Sequence, residues 1–108
     1  MSQRYQQILA LLAEQPGDAF LLFAKAQEER KAGQLDAAVA SFEQLRAAHP
    51  DYVGLYYHLA ALYGELEASD RADETYRAGI EVALRQNDRH ALAELKNAYV
   101  NWQLEQPD

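Results

Sequence analysis

Two of the three prolines, Pro16 and Pro50, stand 34 residues apart, and the same offset carries much of the chain onto itself. Ala26 falls on Ala60, Ala38 on Ala72, Phe42 on Tyr76 and Leu22 on Tyr56. Extended backwards, Ile8 falls on Phe42 and Leu11 on Leu45. A period of this length belongs to helix–turn–helix units, each of which buries its apolar face only by stacking on its neighbours. It therefore points to an open helical array rather than a sheet protein or an isolated bundle.

Local periodicity agrees. Leu35, Ala38, Val39, Phe42 and Leu45 recur at three- and four-residue steps, the spacing of one helix face. Ala72, Tyr76, Ile80 and Leu84 form a second such stripe, opposite a charged ladder of Asp73, Arg77, Glu81 and Arg85 that reads as a solvated surface. Asp18 is placed to cap one helix and Gly33 to close it. Ser69 or Asp70 is the expected cap of a later helix, and Asn87-Asp88 supplies a stop and then a cap. These signals predict six helices over 2–14, 18–32, 35–48, 52–66, 70–86 and 88–104, and no strand.

The pattern resembles the tetratricopeptide repeat (TPR) family, and looks like a small bacterial-type member of it. The second repeat carries the resemblance through Tyr56, Leu59-Ala60, Tyr63, Ala72 and Tyr76. The first carries it through Leu22, Ala26, Gly33, Ala38, Phe42 and Pro50, with Lys25 and Glu29 in place of the family's Leu and Tyr. Those two lie one turn apart and can pair, the lysine stem covering apolar surface. Leu92, Leu95 and Tyr99 follow Tyr56, Leu59 and Tyr63 by 36 residues, so the helix before them runs about two residues long; Leu84 stands where the closing proline would be. The resemblance implies an all-α, right-handed superhelix of antiparallel helix pairs in a single domain. Residues 1–16 are a half-repeat helix, 17–50 and 51–87 are repeats, and 88–108 are a C-terminal capping helix. The expected core is Leu22, Ala26, Leu35, Ala38, Phe42, Tyr56, Leu59, Tyr63, Ala72, Tyr76, Ile80, Leu92, Leu95 and Tyr99.

Composition narrows the function classes. Net charge is −7 with no basic stripe, which argues against binding a phosphate backbone. The absence of cysteine excludes disulfides, thiol catalysis and thiolate metal sites, and fits a reducing, cytoplasmic setting. The N-terminal stretch is too polar for a signal peptide, and no run approaches the ~20 apolar residues of a membrane span. His49, His58 and His90 have no metal-ligand spacing, and His49, next to Pro50, reads as a solvated turn residue. Ser2, Ser41 and Ser69 lack a nucleophile's context, the five glycines are scattered singly, and no carboxylate pair stands out as a shielded acid–base couple. The expectation is a chain that is not an enzyme and needs no metal or cofactor.

What remains is surface. By the resemblance, the first helices of successive repeats line a concave groove that receives an extended peptide or a partner helix. The groove-facing candidates are Phe20, Phe23, Gln27 and Arg30, then Tyr57, His58, Ala61 and Gly64, then His90, Ala93 and Asn97. Phe20 and Phe23 can equally pack under the N-terminal helix, and Tyr57 can be an ordinary surface tyrosine. The carboxylate clamp of one TPR subtype is missing, since Phe23, Gln27 and Ala61 occupy its slots. The leading expectation is a non-catalytic protein-interaction module. The alternatives are a homo-oligomer assembled through the terminal helices, where Val100 and Trp102 flank the open end, and a metabolite sensor or enzyme.

Overall fold

The computed structural model describes residues 2–107. Among the described residues it contains six α-helices and no strand: α1 (Gln3–Glu14), α2 (Ala19–Lys31), α3 (Leu35–Ala48), α4 (Gly54–Glu65), α5 (Ser69–Gln86) and α6 (Arg89–Glu105). The chain forms two compact units, one ending at Tyr52 and the other starting at Val53.

In the first unit α2 and α3 form the hairpin and α1 packs against α2. Ala26 and Ala38 are wholly buried, as are Phe42 and Leu45. The small side chains let the two helices approach, and the large ones fill the space beside them. Ile8 anchors α1, whereas Leu11 is exposed and Leu35 only half-buried. Asp18 caps α2, its Oδ1 accepting from the Leu21 N–H at 2.9 Å. His49 is not a solvated turn residue. It is half-buried, and its Nε2 donates to the Gly17 carbonyl at 2.6 Å, tying the end of α3 to the α1–α2 turn.

In the second unit α4 packs on α5, and α6 packs on both. Its core is Leu55, Tyr56, Leu59, Ala60, Leu62 and Tyr63 from α4; Ala72, Thr75, Tyr76, Gly79, Val82 and Ala83 from α5; and Leu95 from α6. The stripe of α5 is therefore not the one expected. Leu84 is 54% exposed and Ile80 half-buried, while Thr75, Gly79, Val82 and Ala83 are inside. Four-residue steps rotate about 40° per step on a 3.6-residue helix, so a stripe that starts at Ala72 has left the core by residue 84. Leu92 and Tyr99 of α6 are half-buried. α5 runs 18 residues against 14 for α3, four more where the 36-residue spacing implied about two, and the connection that follows it is shorter.

The turns inside the two repeats share one geometry. Gly33 has φ +79°, with its N–H on the Arg30 carbonyl at 3.0 Å and the Gln34 N–H on the Glu29 carbonyl at 2.9 Å. Glu67, 34 residues on, has φ 58°, with equivalent bonds to Gly64 at 3.1 Å and, through Ala68, to Tyr63 at 2.9 Å. The next helix then starts at Ser69, so Ser69 lies inside it and Ala68 is the cap, with no side-chain bond. Neither Ser69 nor Asp70 plays the expected capping role. The hydrogen-bonded turn already fixes the chain's entry, as it does at Gln34. Asn87 takes the left-handed conformation, and Asp88 caps α6 through the Ala91 N–H at 3.0 Å.

Candidate functional site

The first unit buries a charged network. Glu29 is 2% exposed. Its Oε1 accepts from Ser41 Oγ at 2.5 Å, and its Oε2 accepts from Tyr5 at 2.7 Å and Lys25 at 2.8 Å. Lys25 also donates to Ser41 Oγ at 2.7 Å. Three helices thus meet on one carboxylate. Burial, with the Glu29 hydrogen bond and charge behind it, pushes the Tyr5 hydroxyl up to about 12. Among the described residues no buried side-chain polar atom lacks a partner. The network's donors and acceptors are used on one another, which makes it a structural device. The Lys25–Glu29 pair follows from one-turn spacing; the shielded carboxylate, with Tyr5 and Ser41 closing it, carries no signal in the sequence.

Sequence-derived candidates on α2 lie on a mixed surface. Phe20 is 63% exposed. Phe23 is half-buried, its ring 5.9 Å from Phe42 and 5.5 Å from Tyr52. A cavity of about 260 Å³ is lined by Phe20, Phe23, Gln27 and Glu28 together with Arg4 and Lys31. Arg30, half-buried, does not line it. Arg4 and Lys31 both reach Glu28, at 3.5 and 3.3 Å, so two cations share one carboxylate on this surface.

The second unit holds the larger feature. A cavity of about 690 Å³ opens between α4, the start of α5 and the C-terminal half of α6, lined by Ala61, Gly64, Glu65, Glu67, Tyr76, Trp102 and Glu105, among others. Ala61 and Gly64 are sequence-derived candidates; Tyr57, His58, His90, Ala93 and Asn97 do not line it. Tyr57 and His58 are half-buried, with rings 5.4 Å apart. His90, Ala93 and Asn97 are exposed, and His90 lies 3.9 Å from Glu94. Within α6 the lining comes instead from residues further along the helix.

Trp102 is held from several sides. Its ring lies 5.9 Å from Tyr76 and stacks at 6.3 Å on Tyr99, which stacks at 5.5 Å on Tyr76. A Cβ at Gly64 would come within 3.2 Å of the indole, so this glycine makes room for it. The Tyr99 hydroxyl donates to Asp73 at 2.5 Å, and Asp73 pairs with Arg77 at 2.5 Å. The Tyr99 bond, assisted by Arg77, holds the Asp73 carboxyl below its ordinary range, and Asp73 raises the tyrosine in return. Asp73, expected on a solvated ladder, therefore also pins α6 to α5. Gln106 bonds Ser69 at 3.3 Å and the Trp102 carbonyl at 3.1 Å, fastening the end of α6.

Among the described residues no group of three or more His, Asp or Glu is placed to hold a metal ion, and no helix is long and apolar enough to cross a membrane.

These features define an all-α protein of helical-hairpin repeats. No protein-family model matches the chain, and no curated protein matches it. Solved structures do. The crystal structure of a tetratricopeptide repeat domain protein from Salinibacter ruber is 42% identical over 82% of this chain and 99% of its own, with a TM-score of 0.78. A solution structure of a tetratricopeptide repeat domain protein from the same organism is 41% identical, over 86% and 94% of the two chains, at 0.81. A protein from Bordetella parapertussis, 19% identical over 97% of this chain and 91% of its own, shares the fold at 0.83. The chain belongs to the tetratricopeptide repeat family.

Proposed function

We propose that the protein is a non-catalytic interaction module that receives a peptide or helix of another protein on the faces of its first-position helices. The observation that carries this reading is the cavity of about 690 Å³ on α4 and α6. It is open to solvent chemistry on one side and backed by a fixed aromatic wall, the combination of shape and rigidity that peptide recognition needs. The exposed Phe20 on α2 supports a second contact surface of the same kind in the first unit.

Selection of a random peptide display library on the full chain tests the reading. Peptides are expected to be enriched on the native protein and lost on Ala61→Tyr, which fills the cavity with an uncharged ring. Phe20→Ser is expected to weaken those that bind the α2 surface. Failure to enrich any peptide removes the reading.

A second reading, self-association through α6, is favoured by Val100 at 51% and Leu104 at 78% exposure, one turn apart on that helix. Light scattering at high concentration checks it; a strict monomer excludes it.

A further inference from the structure

The cavity on the second unit has a one-sided electrostatic character. Three glutamates, Glu65, Glu67 and Glu105, are among its lining residues, and no lysine, arginine or histidine is. Two helices end at it: α4 at Glu65 and α6 at Glu105. The aligned peptide dipoles give a helix C-terminus roughly half a negative charge. α2, α3 and α5 meet that charge with Arg30 and Lys31, Arg46, and Arg85 in their last turns. α4 and α6, like α1, have no basic residue there. The opposing positive end, at the start of α5, is met by its own Asp70. The surrounding unit adds to the field: from Val53 onward the chain holds 10 of the 17 acidic residues and 5 of the 10 basic ones.

Beside these charges stands Trp102, half-buried and fixed by Tyr76 and Tyr99. An indole attracts a cation through its ring quadrupole, and the attraction grows where water is excluded. Carboxylates, helix C-termini and an indole all favour one kind of occupant.

We infer that this cavity takes the lysine or arginine side chain of a basic segment in a partner protein. The inference rests on the interaction reading above and specifies its partner's chemistry. The aliphatic stem of the incoming residue lies along Trp102 and Ala61, and its charged head reaches the glutamates at the α4 and α6 ends. The partner's backbone needs no sequence beyond a basic residue flanked by small ones, because the cavity is open on its outer side.

Trp102 is the only tryptophan, so its emission reports the site directly. The probes are three acetylated and amidated glycine–serine peptides carrying spaced lysines, arginines or glutamates. The lysine and arginine peptides are expected to change Trp102 emission saturably, and the glutamate peptide to leave it unchanged. Glu65→Gln/Glu67→Gln/Glu105→Gln is expected to weaken binding at least about tenfold, as loss of interfacial charge partners does. Glu74→Gln/Glu81→Gln/Glu94→Gln removes the same charge away from the cavity and is expected to change it less than about twofold. Circular dichroism checks that both variants keep their helices. Equal losses in the two triple variants would mean diffuse attraction and overturn the inference, as would binding without a change in Trp102 emission. If display selection instead yields uncharged peptides that Ala61→Tyr blocks, the inference falls and the interaction reading stands. If no peptide of any charge binds, both fall.

Discussion

Lys25, Glu29 and Ser41 in the first repeat occupy the slots of Leu59, Tyr63 and Thr75 in the second. One repeat closes its hairpin with a buried ion pair and two hydroxyls, the other with a leucine and a tyrosine, and both turn the chain identically after it. Thr75 shows what the hydroxyl does without a carboxylate beside it: it donates to the Arg71 carbonyl at 2.7 Å, one turn back in its own helix. A neighbouring slot is filled just as differently. Leu45 is wholly buried where the second repeat has Gly79, and the residue at the slot of Leu22 is the larger Tyr56. A Cβ at Gly79 would lie 2.5 Å from Tyr56 Cβ. The hairpin geometry therefore constrains the volume and the polar satisfaction of each layer and leaves the chemistry of each slot open.

The largest effect is expected from unbalancing the ion pair. Lys25→Leu leaves Glu29 buried without its cation and is expected to destabilise the protein by about 3 kcal/mol. The double change Lys25→Leu/Glu29→Tyr installs the second repeat's pair. It is expected to recover all but about 1 kcal/mol, because a well-packed apolar pair often matches a buried ion pair. Chemical denaturation of the two variants decides it. If the double variant is as unstable as the single one, the two repeats do not share a layer geometry.

How much of this was legible follows from the same slots. Alanines at 26, 38, 60 and 72 are readable because a helix crossing admits nothing larger, and their spacing fixes the register without knowledge of the neighbours. Polar closure is not readable: Tyr5, Glu29 and Ser41 come from three helices and meet only once the hairpin has formed. The lining of the cavity is legible on α4 and not on α6. The repeat register brings out Ala61 and Gly64, yet on α6 it points to His90, Ala93 and Asn97, near the start of the helix. The α6 residues that line the cavity, Ala98, Asn101, Trp102 and Glu105, come later in the helix, and the Gly64–Trp102 contact that places the indole is between helices. Leu84 lies outside the core for a simpler reason, the drift of a four-residue step against the helix period.

Overpacking tests the second layer. Ala72→Leu adds volume at a fully buried crossing and is expected to cost roughly 1–3 kcal/mol. Gly79→Ala gains up to ~1 kcal/mol of helix propensity. It must also move Tyr56 or Leu95, whose Cδ2 would lie 3.2 Å from the new Cβ, so a net loss of about 1 kcal/mol is expected. A higher melting temperature for Gly79→Ala would mean that α4 and α5 can separate at little cost.

The turn residues should respond in opposite directions. Gly33 and Glu67 hold the same left-handed position, which strains any residue with a Cβ by roughly 1–2 kcal/mol. Gly33→Ala is expected to lower stability by about 1 kcal/mol. Glu67→Gly is expected to raise it by about 0.5 kcal/mol, since glycine's greater unfolded-state freedom offsets part of the relief. Glu67 also lines the acidic cavity, so a variant that melts later and binds the lysine peptide less well would assign the strained glutamate to the site rather than to the fold.

A pH dependence singles out one anchor of the first unit. Tyr5 titrates near 10 when unfolded and at about 12 when folded, so its neutral hydroxyl favours the folded state. That contribution is fully present below pH 10 and is lost as pH rises through 12. Tyr5→Phe removes the titrating group and the bond to Glu29 together. It should lower stability at neutral pH by about 1 kcal/mol and flatten the decline between pH 10 and 12. Tyr52 in the first unit and Tyr99 in the second are also raised and remain in the variant, so a residual alkaline decline is expected from those two. If the alkaline melting curves of wild type and Tyr5→Phe stay parallel, the buried carboxylate does not hold α1 through that hydroxyl.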